Sequence, residues 1–253
     1  MLLWNKLTDE QRAVVSEIKK SFGEEAREVH VKKTGFSASG LGFGPGICPR
    51  RWVLAFRGVD AVEQYSSVGK KKMEIGTKIH ELVQDELLAN PNLIIEVEKE
   101  IWHVDPPLHG FIDGVITSTA QEKILLEIKS SGEVAMAYRE TSFNAAVYHK
   151  LQLLIYMHIM NAKLGLFLYE NRDDFRDLVI PLFMDEDNQA YVDYLFDWMR
   201  VVHAEFERGI IPNYFKGRRK NSKICGQCQF RTACEATGEE EGAVDIPLLE
   251  MPK

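Results

Sequence analysis

Three of the chain's four cysteines lie close together in the segment ICGQCQFRTAC (224–234). The spacing C-x2-C-x5-C is typical of metal ligation, and such a centre would constrain the fold more than any other feature of this sequence. Three thiolates make an incomplete tetrahedral site, and the spacing of these cysteines does not identify the fourth ligand. Inert buried cysteines beside an isolated C-x-x-C pair are the alternative interpretation.

Composition places the chain among ordinary soluble globular proteins. Of its 253 residues, 45% are hydrophobic and 27% are charged, and no apolar run approaches the roughly 20 residues of a membrane span. The start, MLLWNKLTDEQ, lacks the basic and apolar regions of a signal peptide. We therefore expect a cytoplasmic protein with no membrane partner, in which cysteines bind metal or lie buried rather than form disulfides.

The formal net charge of −7 argues against a protein whose whole surface is covered by nucleic acid. Local basic grooves are compatible with this net charge. One basic run is Lys70, Lys71 and Lys72, and the other is KGRRKNSK (216–223), which includes Arg218, Arg219 and Lys220. Solvated loops are the ordinary interpretation of such runs, but the second run leads directly into the cysteine segment, which favours phosphate contact.

Hydrophobic periodicity predicts an α/β layer sandwich with a mixed sheet, in one domain. The chain opens with an amphipathic helix that begins at the capping box of Thr8 and Gln11. Further helices are predicted at about 48–58, 75–88, 145–160 and 188–208. Strands are predicted at 94–102, 109–117, 123–131, 164–170 and 175–182, the first three as a meander.

Asp113, Glu127 and Lys129 form a candidate catalytic group in the predicted sheet. Glu127 and Lys129 are two residues apart on one strand and therefore project from the same face. Two carboxylates can hold a divalent cation that activates water against a phosphodiester, and a lysine can orient that water and offset developing charge. A charged surface strand is the alternative, but the apolar surroundings in ILLEIK (124–129) argue against it.

Two predicted helices carry further candidates. His80, in GTKIHELV (76–83), can add a nitrogen ligand, although a lone helical histidine is more often structural and Glu81 is a rival acidic contributor. Gln152 and Tyr156 are four residues apart and lie on one helix face. They either border the core or reach a phosphate or base near the metal.

These motifs, in this order, resemble the RecB-like branch of the PD-(D/E)XK nucleases. Asp113, the triplet Glu127-Ile128-Lys129 and QLLIY (152–156) match its catalytic pattern, and GTKIH (76–80) matches its G-x-x-x-H helix. CPRRW (48–52) and the late cysteines resemble the iron–sulfur subset, which includes CRISPR-associated RecB-like exonucleases, the AddB nuclease domain and viral relatives. The resemblance covers residues 36–236.

The resemblance implies a restriction-endonuclease-like fold and a Mg²⁺ or Mn²⁺ site. The implied metal ligands are His80, Asp113, Glu127 and the backbone carbonyl of Ile128. Lys129 is implied at the nucleophilic water, and Gln152 and Tyr156 are implied to orient DNA and the carboxylates. Residues 1–35, expected to be a helical extension, and the acidic tail 237–253 lie outside the resemblance.

The resemblance also supplies the missing thiolate. It implies that Cys48 joins Cys225, Cys228 and Cys234 around a structural [4Fe–4S] cluster that staples the C-terminal segment to the early part of the domain. A structural zinc satisfies the same ligand set, and the sequence does not separate the two. Arg50 and Arg51, beside a cluster ligand, are expected to contact phosphates together with the basic runs.

The sequence therefore predicts a metal-dependent DNA exonuclease acting in recombination, degradation or end processing. The resemblance implies single-stranded DNA and a 5′-end preference. The alternative is a catalytically silent DNA-end-binding or CRISPR-adaptation adaptor protein with a structural metal site. Protein partners are not predicted.

Overall fold

The computed structural model describes residues 6–21, 25–65, 67–215 and 223–252. Its strands are β1 (Glu25–Val31), β2 (Val59–Tyr65), β3 (Ile94–His103), β4 (Leu108–Thr117), β5 (Lys123–Ser131), β6 (Leu164–Asn171) and β7 (Asp177–Phe183). Its helices are α1 (Asp9–Lys20), α2 (Ala38–Leu41), α3 (Pro49–Arg57), α4 (Ser67–Ala89), α5 (Glu133–Ser142), α6 (Val147–Met160), α7 (Glu186–Glu207) and α8 (Arg231–Thr237). Short 3₁₀ turns lie at Gly44–Ile47 and Cys225–Gln227.

A five-stranded mixed sheet in the order β3-β4-β5-β6-β7 is the centre of the fold. The pairs β3–β4, β4–β5 and β6–β7 are antiparallel, whereas β5–β6 is parallel and is joined by a crossover through α5 and α6. β1 and β2 form a separate antiparallel ribbon. The predicted meander is confirmed, and β5 has the predicted bounds.

The two faces of β5 serve different purposes. Leu126 and Ile128 point towards α4 and pack against Ile79 and Val83 of that helix. The opposite face carries Leu125 in the main core, followed by the charged positions 127 and 129. One strand therefore holds a helix on one face and presents the candidate catalytic side chains on the other.

α6 is buried around its whole circumference over residues 151–157, which are apolar except for Gln152 and the Tyr156 hydroxyl. The reason is that α6 lies between the sheet and α7, so it has no solvent face in this stretch. At β6 the helix comes so close that a Cβ at Gly165 would lie 2.8 Å from the Leu153 side chain and from the Met157 sulfur. Only glycine fits at this contact.

The regions at the two ends of the chain both contain more structure than the sequence patterns indicate. The predicted helical extension contains α1 but also β1, which pairs with β2 because both segments alternate and each supplies the other's backbone hydrogen bonds. The acidic tail packs back on the domain. The Leu249 N–H donates to the Ile47 carbonyl at 2.9 Å, the Trp198 indole donates to the Pro247 carbonyl at 2.9 Å, and Leu249 is buried.

Arg50 ties α3 to the C-terminal segment. Its side chain is only 2% exposed, and its guanidinium donates to the carbonyls of Pro212 at 2.7 Å, Cys234 at 3.3 Å and Gly238. The guanidinium also lies 4.2 Å from the Tyr214 ring centroid. The structure thus places Arg50 inside the protein, where it does not reach a DNA phosphate, because all of these contacts hold it against the backbone.

We predict that Arg50→Ala lowers the free energy of unfolding by about 3 kcal/mol, because three carbonyls lose hydrogen bonds to a charged donor. Urea unfolding of samples with matched metal content measures this loss. Arg200→Ala, which removes an exposed arginine paired with Asp197, is the control and should change little. Equal losses in the two variants would contradict the proposed structural role of Arg50.

Candidate active site

The candidate site lies where β4 and β5 stop pairing. Their ladder runs from Thr117↔Lys123 to Gly114↔Leu126, and Asp113 follows directly after it. Asp113 Oδ2 accepts a hydrogen bond from the Ile128 N–H at 2.7 Å, so a side chain takes the place of the backbone ladder at this point. This bond fixes the Asp113 carboxylate in the gap between the strands.

Glu127 and Lys129 form a buried ion pair beside this gap. Lys129 Nζ donates to Glu127 Oε1, while Glu127 Oε2 is buried without a hydrogen-bond partner among the described residues. Burial raises the pKa of Glu127 to about 8 even though Lys129 lowers it. The pKa of Asp113 is also raised by burial. Both carboxyl groups are therefore harder to ionise than free carboxylic acids, and a cation bound beside them would lower both pKa values.

Lys129 keeps its charge in this environment. Burial lowers its pKa, but the charges of Glu127 and Asp113 outweigh that effect, and the net shift is upwards. An ammonium group is therefore held next to the carboxylates, with 18% of its side chain exposed.

α4 contributes two side chains from one face, because His80 and Gln84 are four residues apart. His80 Nδ1 lies 3.7 Å from Asp113 Oδ1, and burial lowers the pKa of His80 against the opposing effect of Asp113. Gln84 Nε2 donates to Glu98 Oε1 at 2.7 Å and to the Asp113 carbonyl at 3.1 Å. The helix thus places the His80 imidazole beside Asp113 and the Gln84 amide in a hydrogen bond to Glu98.

Glu98 is a site residue that sequence reasoning missed. Ligand atoms of His80, Glu98 and Asp113 all lie within 4.8 Å of one another, which makes them a compact group able to hold a metal ion. Glu98 lies across from Asp113 in the β3–β4 register and has φ of +49°, a strained value for glutamate. Its only signal was this cross-strand position, which becomes visible once the hairpin register is known.

The structure brings the other predicted ligands nearby in different roles. Glu127 lies close enough to Asp113 for that charge to raise its pKa, but its bound oxygen faces Lys129. Ile128 presents its N–H to Asp113, and metal ligation by its carbonyl remains a prediction. No larger set of ligand atoms is compact in the described part of the chain.

Gln152 and Tyr156 lie beneath the β3–β4 hairpin. Both are buried, and the Tyr156 hydroxyl bonds to the Gln152 side chain and to the backbone of Phe111. A Cβ at Gly110 would lie within 2.4 Å of the Tyr156 hydroxyl, so only glycine permits this approach. These residues support the strand that carries Asp113, and their contact with DNA remains a prediction.

A second polar group, not predicted, borders Lys129. Tyr169 lies opposite Lys129 in the β5–β6 register, and its hydroxyl is 2.8 Å from His149 Nδ1. Burial lowers the pKa of His149 to about 3, so the imidazole is neutral at physiological pH. Arg139 lies 4.4 Å from the Tyr169 ring and donates to Ser131 Oγ at 3.1 Å. These groups form a polar wall beside the ion pair.

The four cysteines surround one small cavity of about 40 Å³ and carry free thiols. The pKa of Cys48 is raised to about 12, mainly by burial and to a smaller extent by the three other thiols. No three of the four cysteine sulfurs lie within 4.8 Å of one another. Four cysteine side chains are the ligand set of both a structural zinc and a [4Fe–4S] cluster.

Arg51 also lines this cavity. Its guanidinium lies 4.7 Å from the Trp52 ring and 5.7 Å from the Phe230 ring, and its Nη1 is buried without a partner within the described ranges. Burial lowers the pKa of Arg51, and the cysteines Cys48 and Cys228 oppose that effect. Arg51 is therefore directed at the cysteines rather than at solvent.

The predicted basic runs are described only in part. Lys70, Lys71 and Lys72 lie in the first turns of α4, with Lys71 and Lys72 exposed. Arg218, Arg219 and Lys220 lie outside the described residues. DNA contact by either run remains a prediction.

Comparison with known proteins gives structural matches only. No family model matches the chain. No curated protein matches it either. The alkaline exonuclease LHK-Exo from Laribacter hongkongensis is similar with a TM-score of 0.51 and 13% identity, over 75% of this chain and 94% of its own. The structure of LHK-Exo in complex with dAMP has a TM-score of 0.45 and 15% identity, over 74% of this chain and 97% of its own. SSO0001 has a TM-score of 0.44 and 18% identity, over 91% of this chain and 98% of its own.

The likeness to LHK-Exo shows the fold, a nuclease-like mixed sheet flanked by helices, and confirms the predicted fold class. The iron–sulfur staple of the C-terminal segment remains a prediction. Within the described residues, every helix is too short or too polar to cross a bilayer.

We predict that Mn²⁺ raises the Tm of the protein, because an ion that binds only the folded state adds about 2.7 kcal/mol at a hundred times its Kd. His80→Ala and Glu98→Gln should each weaken Mn²⁺ binding at least about tenfold in calorimetric titrations, since each removes a ligand from the compact group. His80→Ala should weaken Mn²⁺ more than Mg²⁺, which prefers oxygen ligands.

Glu96→Gln is the matched control for this experiment, because Glu96 lies on the same strand and pairs with Lys99. An unchanged titration in His80→Ala alone would return that histidine to a structural role. Unchanged titrations in both variants would remove the site assignment.

Proposed function

We propose that the chain is a divalent-metal-dependent DNA exonuclease whose nuclease domain spans residues 36–236. The observation that carries this proposal is the grouping of His80, Glu98 and Asp113 next to the buried Glu127–Lys129 pair. These groups meet where two strands of a nuclease-like sheet separate. The likeness in fold to an alkaline exonuclease supports the same class of reaction.

The residues fit a divalent cation. Imidazole nitrogen and carboxylate oxygens suit Mn²⁺ and Mg²⁺, and Glu127 Oε2 is a buried acceptor without a partner in the described structure. His80, Glu98 and Asp113 would hold the ion, with Glu127 beside them. A cation bound there polarises a phosphate and lowers the pKa of a bound water.

The protein's own groups supply the rest of the chemistry. Glu127 holds Lys129 by an ion pair, so the ammonium is fixed in place before DNA binds. From there it orients a water molecule and offsets negative charge on the phosphorane. Gln84 keeps Glu98 in its strained conformation through a 2.7 Å hydrogen bond. Preorganisation of this kind is what lowers the barrier to phosphodiester hydrolysis.

The four cysteines around this cavity would hold the proposed [4Fe–4S] cluster, and a structural zinc is the alternative for the same ligands. The unpaired donor of Arg51 supports a bound anionic centre, because metal centres ligated by four thiolates carry negative charge. Cys48 precedes α3, and the other three ligands belong to the C-terminal segment. A cluster here would join these segments and add no group to hydrolysis.

We assign the protein to DNA recombination, degradation or end processing in the cytoplasm. Single-stranded DNA with a 5′-end preference is the proposed substrate, steered by Lys70–Lys72 and the run at 216–223. A catalytically silent DNA-end-binding protein would have no use for the ion pair at Glu127 and Lys129. For that reason we favour the enzyme.

We predict that Asp113→Ala, Glu127→Ala and Lys129→Ala each reduce DNA cleavage at least about a hundredfold, because each removes a group that acts on the developing charge. DNA binding should persist. The measurement is digestion of end-labelled DNA with Mg²⁺ or Mn²⁺, with EDTA as the blank. Glu96→Ala is the control on the same sheet, and cleavage retained in two of the three variants would refute the assignment.

We predict that Cys48→Ala lowers iron content and Tm together. A centre that joins Cys48 to the three late cysteines closes a loop over most of the chain. The lost entropy of the unfolded chain stabilises the folded state by about 5 kcal/mol as an upper bound, and strain in the native state reduces that value. Anaerobically prepared protein should be brown, with about four iron and four sulfide per chain. Colourless protein with one zinc would replace the cluster by a zinc staple. Full iron content and unchanged melting in Cys48→Ala would contradict the ligand assignment.

A further inference from the structure

Two exposed aromatic side chains, Trp102 and Phe111, lie in a row with the half-buried His109 on the β3–β4 hairpin, and we call these three residues the aromatic strip. The Trp102 and His109 rings stack with centroids 3.9 Å apart and planes 22° apart, and Phe111 meets His109 edge-on at 5.3 Å. Trp102 is still 64% exposed and Phe111 46% exposed. Exposed aromatic surface of this extent indicates a binding partner.

The strip runs along the same two strands as the candidate metal ligands. Trp102 pairs directly with His109, Phe111 is the next step on β4 towards Asp113, and Glu98 lies across from Asp113. At about 3.3 Å per residue, Phe111 is roughly 7 Å and His109 roughly 13 Å from Asp113 along the strand. These distances correspond to the first few nucleotides beside a scissile phosphate.

The orientation of the strip is fixed. His109 Nε2 lies 2.9 Å from Glu100 Oε1, which holds the imidazole plane against Trp102. α4 packs on the hairpin around Ile95 and Ile116 and reaches Glu98 and Asp113 through Gln84. Beyond these contacts, Trp102 and Phe111 are exposed. The strip is therefore a rigid, accessible platform continuous with the metal site.

We propose that the aromatic strip stacks the bases of single-stranded DNA next to the metal site. This proposal rests on the proposed nuclease function and specifies how the substrate strand is held. Bases rather than phosphates are the partner, because the polar neighbour of the strip is the carboxylate of Glu100, which repels phosphate. Aromatic side chains hold single strands of any sequence by stacking, and paired bases in a duplex have no free face to offer.

The test measures binding of a fluorescent single-stranded oligonucleotide in EDTA, where cleavage does not occur. Trp102→Leu and Phe111→Leu should each weaken binding about tenfold, as expected for the loss of one stacked base, and Trp102→Phe should restore most of the affinity. An abasic oligonucleotide of equal charge should bind wild-type protein as weakly as it binds the leucine variants. DNA should also quench tryptophan fluorescence in the wild type and not in Trp102→Phe.

Phe183→Leu is the matched control, because Phe183 is a 59% exposed aromatic on the opposite edge strand of the same sheet. Unchanged DNA affinity in both strip variants overturns the proposal, even if the wild type cleaves DNA. If the strip variants lose DNA affinity but the wild-type protein does not cleave DNA, the role of the strip is supported and the proposed nuclease activity is refuted instead. Dissociation of an oligomer in Trp102→Leu with unchanged DNA binding overturns the proposal in favour of a contact between copies of the chain.

Discussion

The hydrogen bond from the Ile128 N–H to Asp113 is the interaction on which the site depends. A sheet whose strands separate leaves backbone donors that must find new acceptors. Asp113 supplies one at the end of the β4–β5 ladder, and this use of Oδ2 leaves Oδ1 facing His80. The same carboxylate therefore completes the sheet and belongs to the proposed metal site. Any change that extended the pairing of β4 and β5 beyond Gly114 and Leu126 would remove the gap in which Glu98 and His80 contact Asp113.

Five buried side-chain atoms have no hydrogen-bond partner within the described structure, and two of them, Glu127 Oε2 and Arg51 Nη1, lie at the proposed centres. Leaving a buried polar atom unpaired costs about 1–3 kcal/mol, and more for a charged group, so folded proteins tolerate it mainly where a ligand completes the site. Glu127 Oε2 lies beside the carboxylate of Asp113, and Arg51 lines the cavity of the four cysteines. At each proposed centre, the unpaired atom is therefore a second observation beside the sequence motif.

Strand alternation and helical spacing in the sequence correctly predicted which side chains share one face of a strand or helix. Alternation in ILLEIK placed Glu127 and Lys129 on one face of β5, and helical spacing placed Gln152 beside Tyr156. Glu98 was missed because its role depends on register with Asp113, which is a long-range property. Burial of Arg50 was missed for the same reason, since its carbonyl partners come from the other end of the chain. The ribbon of β1 and β2 also depends on two segments that give only weak signals separately.

The extent of α4 determines what the β3–β4 hairpin can do. Where the helix covers the sheet, Ile79 and Val83 pack on apolar side chains. At the border of that contact the helix offers His80 and Gln84, and beyond it the hairpin is open to solvent with Trp102 exposed. Apolar packing, metal ligation and aromatic surface therefore follow one another along a single pair of strands. A helix that covered more of the hairpin would gain apolar burial but would close the approach to Asp113. The same limited cover by α4 thus leaves both the aromatic surface and the proposed metal site accessible.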